Sequence, residues 1–239
     1  MAFETDKRVF AGTAATRAEL IDQGLRQYML RVYNYMASGL ALTGIVAYVV
    51  GNSPAMFNAV FGTPLAWVVM LAPLGFVFFL SFGLHRMSFF AAQATFWAFA
   101  AVMGLSMATI FMSFTGESVA RVFFITAGTF AGMSLWGYTT KRDLAGFGSF
   151  LFMGLIGIVI AGFVNIFLHS SALQFIVSVI GVIVFVGLTA YDTQNIKSDY
   201  SENYDSETQG KLAISGALRL YLDFINLFMM LLQLLGNRR

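Results

Sequence analysis

Apolar residues dominate this chain in long runs, and polar residues gather in the short gaps between them. Seven runs are long enough, at about 20 residues each, to cross a bilayer as helices. They lie near 32–51, 65–84, 88–114, 119–139, 144–168, 172–196 and 212–235. The gaps carry the charges and turn formers: "GNSPAMFNAVFGTP", "HRM", "TGES", "KRD", "HSS" and the longer acidic "KSDYSENYDSETQGK". Pro73 and Gly75 in the second run predict a kink. Gly128 and Gly132 in the fourth form a GxxxG step that predicts close helix approach. Residues 1–31 are polar and mixed in charge, with no short apolar core of a cleavable signal. They read as a cytosolic N-terminal segment, helical from about Thr16, ahead of a membrane domain over 32–239. The fold class expected is therefore all-α and integral to the membrane, a bundle of seven transmembrane helices.

Composition agrees. Hydrophobic residues make up 58% and charged residues 11% of the 239, with 26 Phe, 13 Met and mean hydropathy +0.75. Soluble domains carry roughly 25% charged residues. A net charge of +2 gives no footing for nucleic acid, and the absence of cysteine excludes disulfides and thiolate metal sites. Lysine and arginine set the orientation. With the N-terminus in the cytosol, Lys7, Arg8, Arg17, Arg26, Arg31, Arg86, Lys141, Arg142, Lys197 and Lys211 fall inside. Arg121, Arg238 and Arg239 then fall outside. The final arginine pair is the discordant element, since a re-entrant last segment would return it to the cytosol; the length of the last run favours a full crossing.

Against this background three charges stand out: Asp192, Arg219 and Asp223. A carboxylate at membrane depth costs several kcal/mol unless it is paired, hydrated or protonated. Asp192, in "GLTAYDTQNIKSDY", lies about 8 Å inside Lys197 at 1.5 Å per residue. Asp223, in "LYLDFINLF", lies about 18 Å deep if the last span starts at Lys211, or about 6 Å deep if Arg219 snorkels to the headgroups. The second placement brings both aspartates to one level. One reading pairs Asp223 with Arg219 on its own helix, four residues back. The other pairs it with Asp192 across the sixth and seventh helices. Two carboxylates in contact do not both ionise cheaply and titrate as a unit, so such a pair is a pH switch on helix packing. Its oxygens also suit a hard ion such as calcium, bound transiently. Asn226, one turn beyond Asp223, extends the same face. Arg86 ends the second span on the same side, either as a plain anchor or as a charged hydrogen-bond partner for one carboxylate. His85 and His169 fall in opposite loops and make no metal pair. The acidic loop of Asp199, Glu202, Asp205 and Glu207 reads as a solvated linker.

The stretches "LTAYDTQNIK" and "GALRLYLDFINLFMMLLQLLGNRR" resemble the Bax inhibitor-1 family, and its bacterial branch in particular. The resemblance implies a bundle with the last helix central and wrapped by the other six, in a bacterial inner (plasma) membrane. It implies a pH-sensitive calcium leak channel gated by Asp192 and Asp223, with Arg86 at the position of an arginine that contacts the first aspartate. A second charged pair of some relatives, between the second and last helices, has no counterpart: Gly75 and Gln233 hold the matching positions. Arg219 is an added charge that biases Asp223 toward ionisation.

The expected partners are then the lipid bilayer, calcium or another cation, and no nucleic acid. No catalytic residue and no resident cofactor are expected, calcium entering only as a permeant ion. The alternative is an interaction protein with a membrane protein partner, modulating stress responses or a membrane protease. An intramembrane aspartyl protease is disfavoured, because its second aspartate needs Gly-x-Gly-Asp and here reads Leu-Tyr-Leu-Asp.

Overall fold

The computed structural model describes the backbone of residues 2–239 and the side chains of residues 21–239. Helix α1 (Ala2–Gly51) is unbroken through the polar segment and the first span. The helix therefore begins well before Thr16, and the described part of the span, Ile21–Gly51, is longer than the apolar run alone. Good helix formers such as Ala, Leu, Arg and Gln carry it across the boundary. Tyr28, Met29 and Val32 are already buried there.

The remaining elements are α2 (Pro54–Phe61), α3 (Leu65–Gly83), a 3-10 turn (Leu84–Arg86), α4 (Phe89–Met107), α5 (Ile110–Ser113), α6 (Gly116–Thr139), α7 (Ala145–Leu168), α8 (Ser171–Ser198) and α9 (Ser206–Leu235). Seven helices are long and apolar enough to cross a membrane, with α4 and α5 counting as one span. No strand longer than an isolated bridge occurs among the described residues.

Local signals explain the boundaries. Ser53 accepts a hydrogen bond from the Met56 amide, and Pro54 occupies the first turn, so the "SPAMF" loop folds as the short helix α2. Ser88, Thr115, Ser170 and Asp205 cap α4, α6, α8 and α9 in the same way. The α7 helix ends in His169 with φ of 50°, a left-handed cap filled here by a non-glycine residue. Pro73 is accommodated inside α3.

The last helix is the most deeply packed. Half of its most apolar stretch is buried, against 11% for α7. It packs along α8, α1, α6 and α4. The second and fifth spans have other principal neighbours: α3 rests on α4, and α7 rests on α8. The "LYLDFINLF" segment distributes its side chains among these neighbours. Tyr221 meets Phe96 and Phe99 edge-on and hydrogen-bonds Thr43 at 2.7 Å. Phe224 packs against Phe123 and Phe130 of α6.

Helices α8 and α9 run antiparallel in close register. A Cβ on Gly216 would lie 3.0 Å from Ile196, one on Gly181 would lie 2.8 Å from Met230, and Gln174 hydrogen-bonds Gln233. The GxxxG step does not take part in helix contact. Gly128 and Gly132 are exposed, with open space where a side chain would go. Helix α6 instead buries the stripe Val122, Thr126, Phe130, Ser134 and Gly137. Close approach occurs at Gly137, whose missing Cβ makes room for the Ala190 backbone, and at Gly104 against Thr43 and Val46.

Candidate functional site: a carboxyl pair between α8 and α9

Asp192 and Asp223 come from adjacent helices and line one cavity of about 620 Å³. Their carboxyl groups lie close enough to interact across the α8–α9 interface. Two carboxyl groups so placed form a hydrogen bond only when one of them carries a proton. Asp223 is 5% exposed, and its Oδ2 is buried without a hydrogen-bond partner among the described residues. Such an orphaned buried oxygen is costly and marks a place where a proton, water or ion has work to do. Asp192 is half-buried.

Arg219 lies one turn before Asp223 on α9. It is 45% exposed, and its Nη1 lies 3.6 Å from Oδ2 of Asp199, which caps the end of α8. Its ion partner is therefore in the loop after α8, while its stem borders the carboxyl cavity. Burial pushes the Asp199 carboxyl above the usual carboxylate range, and the Arg219 charge opposes that rise. Asp199 is thus a structural partner in a loop that otherwise reads as solvated. Asp205 at the other end of the loop is held below the usual range by its hydrogen bond to Thr208.

Asn226 lines the cavity too, with its Nδ2 donating to the Leu222 carbonyl at 2.8 Å. Arg86 does not join the group. It is exposed on the 3-10 turn, does not line the cavity, and no ion pair among the described residues links it to either aspartate. The reason is packing: the span that delivers Arg86 rests on α4 rather than on α8. Gln233 does not reach Gly75; it accepts hydrogen bonds from Gln174 at 3.0 Å and Arg238 at 3.1 Å.

Residues outside the carboxyl pair hold the site in place. Gln194 accepts from the Leu144 amide and donates to the Arg142 carbonyl, both at 2.8 Å, and so ties the loop before α7 to α8. Thr193 shares a hydrogen bond with Ser134, which shares another with Tyr33, linking α8, α6 and α1. Lys197 donates to the Tyr138 carbonyl and lies over its ring. Gly148 of α7 leaves room for the Tyr191 ring. The "AYDTQNIK" stretch thus clamps three neighbours around Asp192, a role that its hydroxyls and amides give no charge signal for. A larger cavity of about 690 Å³ between α1 and α6 is lined almost wholly by apolar side chains and lies apart from the carboxyl pair. Among the described residues no three His, Asp or Glu side chains converge as a metal cage.

The sequence profile of a family described as inhibitor of apoptosis-promoting Bax1 matches residues 25–239. The chain belongs to the Bax inhibitor-1 family. The protein RP147 of Rickettsia prowazekii is 47% identical over 95% of this chain and 96% of its own length. The inner membrane protein YbhL of Escherichia coli K12 is 48% identical over 90% of this chain and 94% of its own. A Caulobacter vibrioides protein is 44% identical over 94% of each. This Bax inhibitor-1 family member is a membrane protein with seven spanning helices, and the matched region contains all of the carboxyl site.

Proposed function

We propose that the chain is a pH-sensitive calcium leak channel of the bacterial inner membrane, gated by Asp192 and Asp223, with its N-terminus in the cytosol. One observation carries this reading: two carboxyls from adjacent helices line one cavity, and an oxygen of the deeper one is buried without a hydrogen-bond partner among the described residues. While a proton is shared, the pair draws α8 and α9 together. Without it, two like charges stand in contact at low dielectric and repel. Carboxylate and amide oxygens around the cavity match the ligands that calcium prefers. Calcium is the permeant ion, with no resident cofactor and no catalytic chemistry. The name of YbhL supports the inner-membrane location, and the bias of lysine and arginine toward one set of loops supports the orientation.

Proteoliposomes loaded with a calcium-sensitive dye test the reading. Wild type is expected to leak calcium at a rate that depends on pH, and Asp223→Asn to lose that dependence. A variant that keeps the wild-type pH profile would end the proposal.

A second reading, a modulator bound to a membrane protein partner, is favoured by the outward-facing Gly128 and Gly132 on α6. Copurification of a membrane protein that is lost in Gly132→Leu, together with no calcium flux by the pure wild type, would support it over the channel.

A further inference from the structure

Three helices that enclose the carboxyl pair enclose a second polar chamber at their opposite ends. The first cavity is bounded by α7 over 148–155, α8 over 185–192 and α9 over 219–226. The second, of about 420 Å³, is bounded by the same helices over 162–169, 174–178 and 229–233. Its polar lining is Asn165, His169, Gln174, Ser178 and Gln233. Ser178 lies within an apolar run and is 2% exposed; its hydroxyl donates to the Gln174 carbonyl at 2.8 Å, and its oxygen keeps lone pairs to offer the chamber. Resting on the channel reading, we propose that cations cross along the α7–α8–α9 seam, passing from the aspartate cavity into this second chamber.

Three features support the route. Helix α7 packs on α8 and does not pack extensively along α9, so the seam is the weakest line through this part of the bundle. The two cavities are also close. Along α8 the last lining residue of one, Ser178, is seven steps from the first of the other, Phe185, about 10 Å at 1.5 Å per residue. The chemistry matches at both ends, since amide and hydroxyl oxygens replace part of the hydration shell of a hard cation much as carboxylates do.

The septum between the chambers has one movable part. Met230 is seated against Gly181, whose absent side chain would lie 2.8 Å from the Met230 Cγ and Sδ. Methionine has three rotatable bonds and no branching, so it swings aside more readily than a branched or aromatic side chain would. One feature opposes cation passage. Arg238 donates to Gln233 at the mouth of the second chamber and places a positive charge there. The route therefore predicts that neutralising Arg238 increases flux.

The test uses calcium flux in proteoliposomes with the full chain, beside Asp223→Asn. Met230→Ala is expected to raise the wild-type leak several-fold, and Arg238→Gln to raise it less. Because the chain has no cysteine, Ser178→Cys supplies a single thiol. That thiol is expected to react with a small positively charged thiol reagent, and the reaction to block flux. Wild-type flux in Met230→Ala together with an unreactive Cys at 178 would overturn the route while leaving the aspartate gate standing. If the wild type carries no calcium at any pH, the channel reading falls and the route falls with it. Should Met230→Ala fail to fold, labelling of the Ser178→Cys protein still decides: labelling that leaves flux unchanged refutes the route.

Discussion

Arg219 pairs with Asp199 across a loop at 3.6 Å, although Asp223 stands four residues along its own helix. This choice leaves Asp223 with Asp192 as its carboxyl partner. It also keeps the guanidinium, 45% exposed, in the wetter part of the site, where a charge costs least. An intrahelical pair would have neutralised Asp223 and removed the coupling between α8 and α9.

Asp199 should consequently leave a pH signature of its own. Burial raises its carboxyl above the unfolded value, so the folded state holds the proton to higher pH than the unfolded chain does. The associated stability is fully present below the unfolded value and is lost as pH rises through the folded one. Asp199→Asn should flatten the Tm-versus-pH curve in that interval, and Arg219→Gln should steepen it by removing the opposing charge. Since the pair is half exposed, its loss should cost no more than about 1 kcal/mol, or about 3 °C in Tm. Thermal melts in detergent from pH 4 to 8 measure this, and identical curves for the three proteins would contradict the assignment.

Glycine positions in α6 separate protein contact from lipid contact. Gly137→Ala places a methyl against the Ala190 backbone, which has no flexible end to move away. The expected cost is about 1–3 kcal/mol, as for other overpacked sites. Gly128→Ala and Gly132→Ala enter open space and should change stability by less than about 0.5 kcal/mol. Melting temperatures of the three variants should therefore split into one low value and two near wild type. Equal losses at all three positions would mean that α6 is rotated from its present orientation.

Tyr221 makes a narrower prediction. Its hydroxyl meets Thr43 at 2.7 Å, and Thr43 also donates to the Ala100 carbonyl at 2.8 Å. Tyr221→Phe keeps the edge-on contacts with Phe96 and Phe99 and leaves Thr43 with a partner. The loss should be about 0.6 kcal/mol, typical of an interhelical hydrogen bond in a membrane. Tyr221→Ala should cost several times more, because it opens a cavity in the core. A comparable loss in both variants, read as Tm, would assign the hydroxyl a larger part than its geometry gives it.

Hydropathy made the seven crossings legible because a chain in lipid must satisfy its backbone within each helix, so length and apolarity nearly suffice. Asp192, Arg219 and Asp223 were visible for a related reason: a charge in an apolar run has few explanations. Neighbour relations were not legible in the same way. Arg86 ends a span on the expected side, yet nothing in the apolar pattern reveals that this span rests on α4. Gly128 and Gly132 misled because lipid and protein interior are both apolar, so composition does not distinguish the two faces of α6. The Gln174, Ser178 and Gln233 set carried a fainter signal, polar but uncharged groups within apolar runs. Ser53 followed by Pro54 is a capping residue before a helix-opening proline, a signal for α2 that the reading of this segment as a gap passed over.

The end of the chain gives the last prediction. After α9 the backbone turns back onto the α5–α6 junction: Thr115 donates to the Asn237 carbonyl and Arg239 donates to the Ser113 carbonyl, both at 3.0 Å. Arg121 reaches the Leu235 carbonyl at 3.1 Å, at the C-terminal end of α9 where a cation is favoured by the helix dipole. This clasp fixes the far end of α9 to α6 at the membrane face opposite the carboxyl pair. Arg121→Ala should lower Tm by about 1–4 °C, the equivalent of 0.3–1 kcal/mol for a chain of this size. Removing residues 237–239 should leave the seven spans intact while the Thr115 and Arg121 region exchanges its amide hydrogens faster. Unchanged exchange at Thr115 would show that the junction is held by the packing of Phe114 on Gly236 alone, and the hydrogen bonds would then carry no weight.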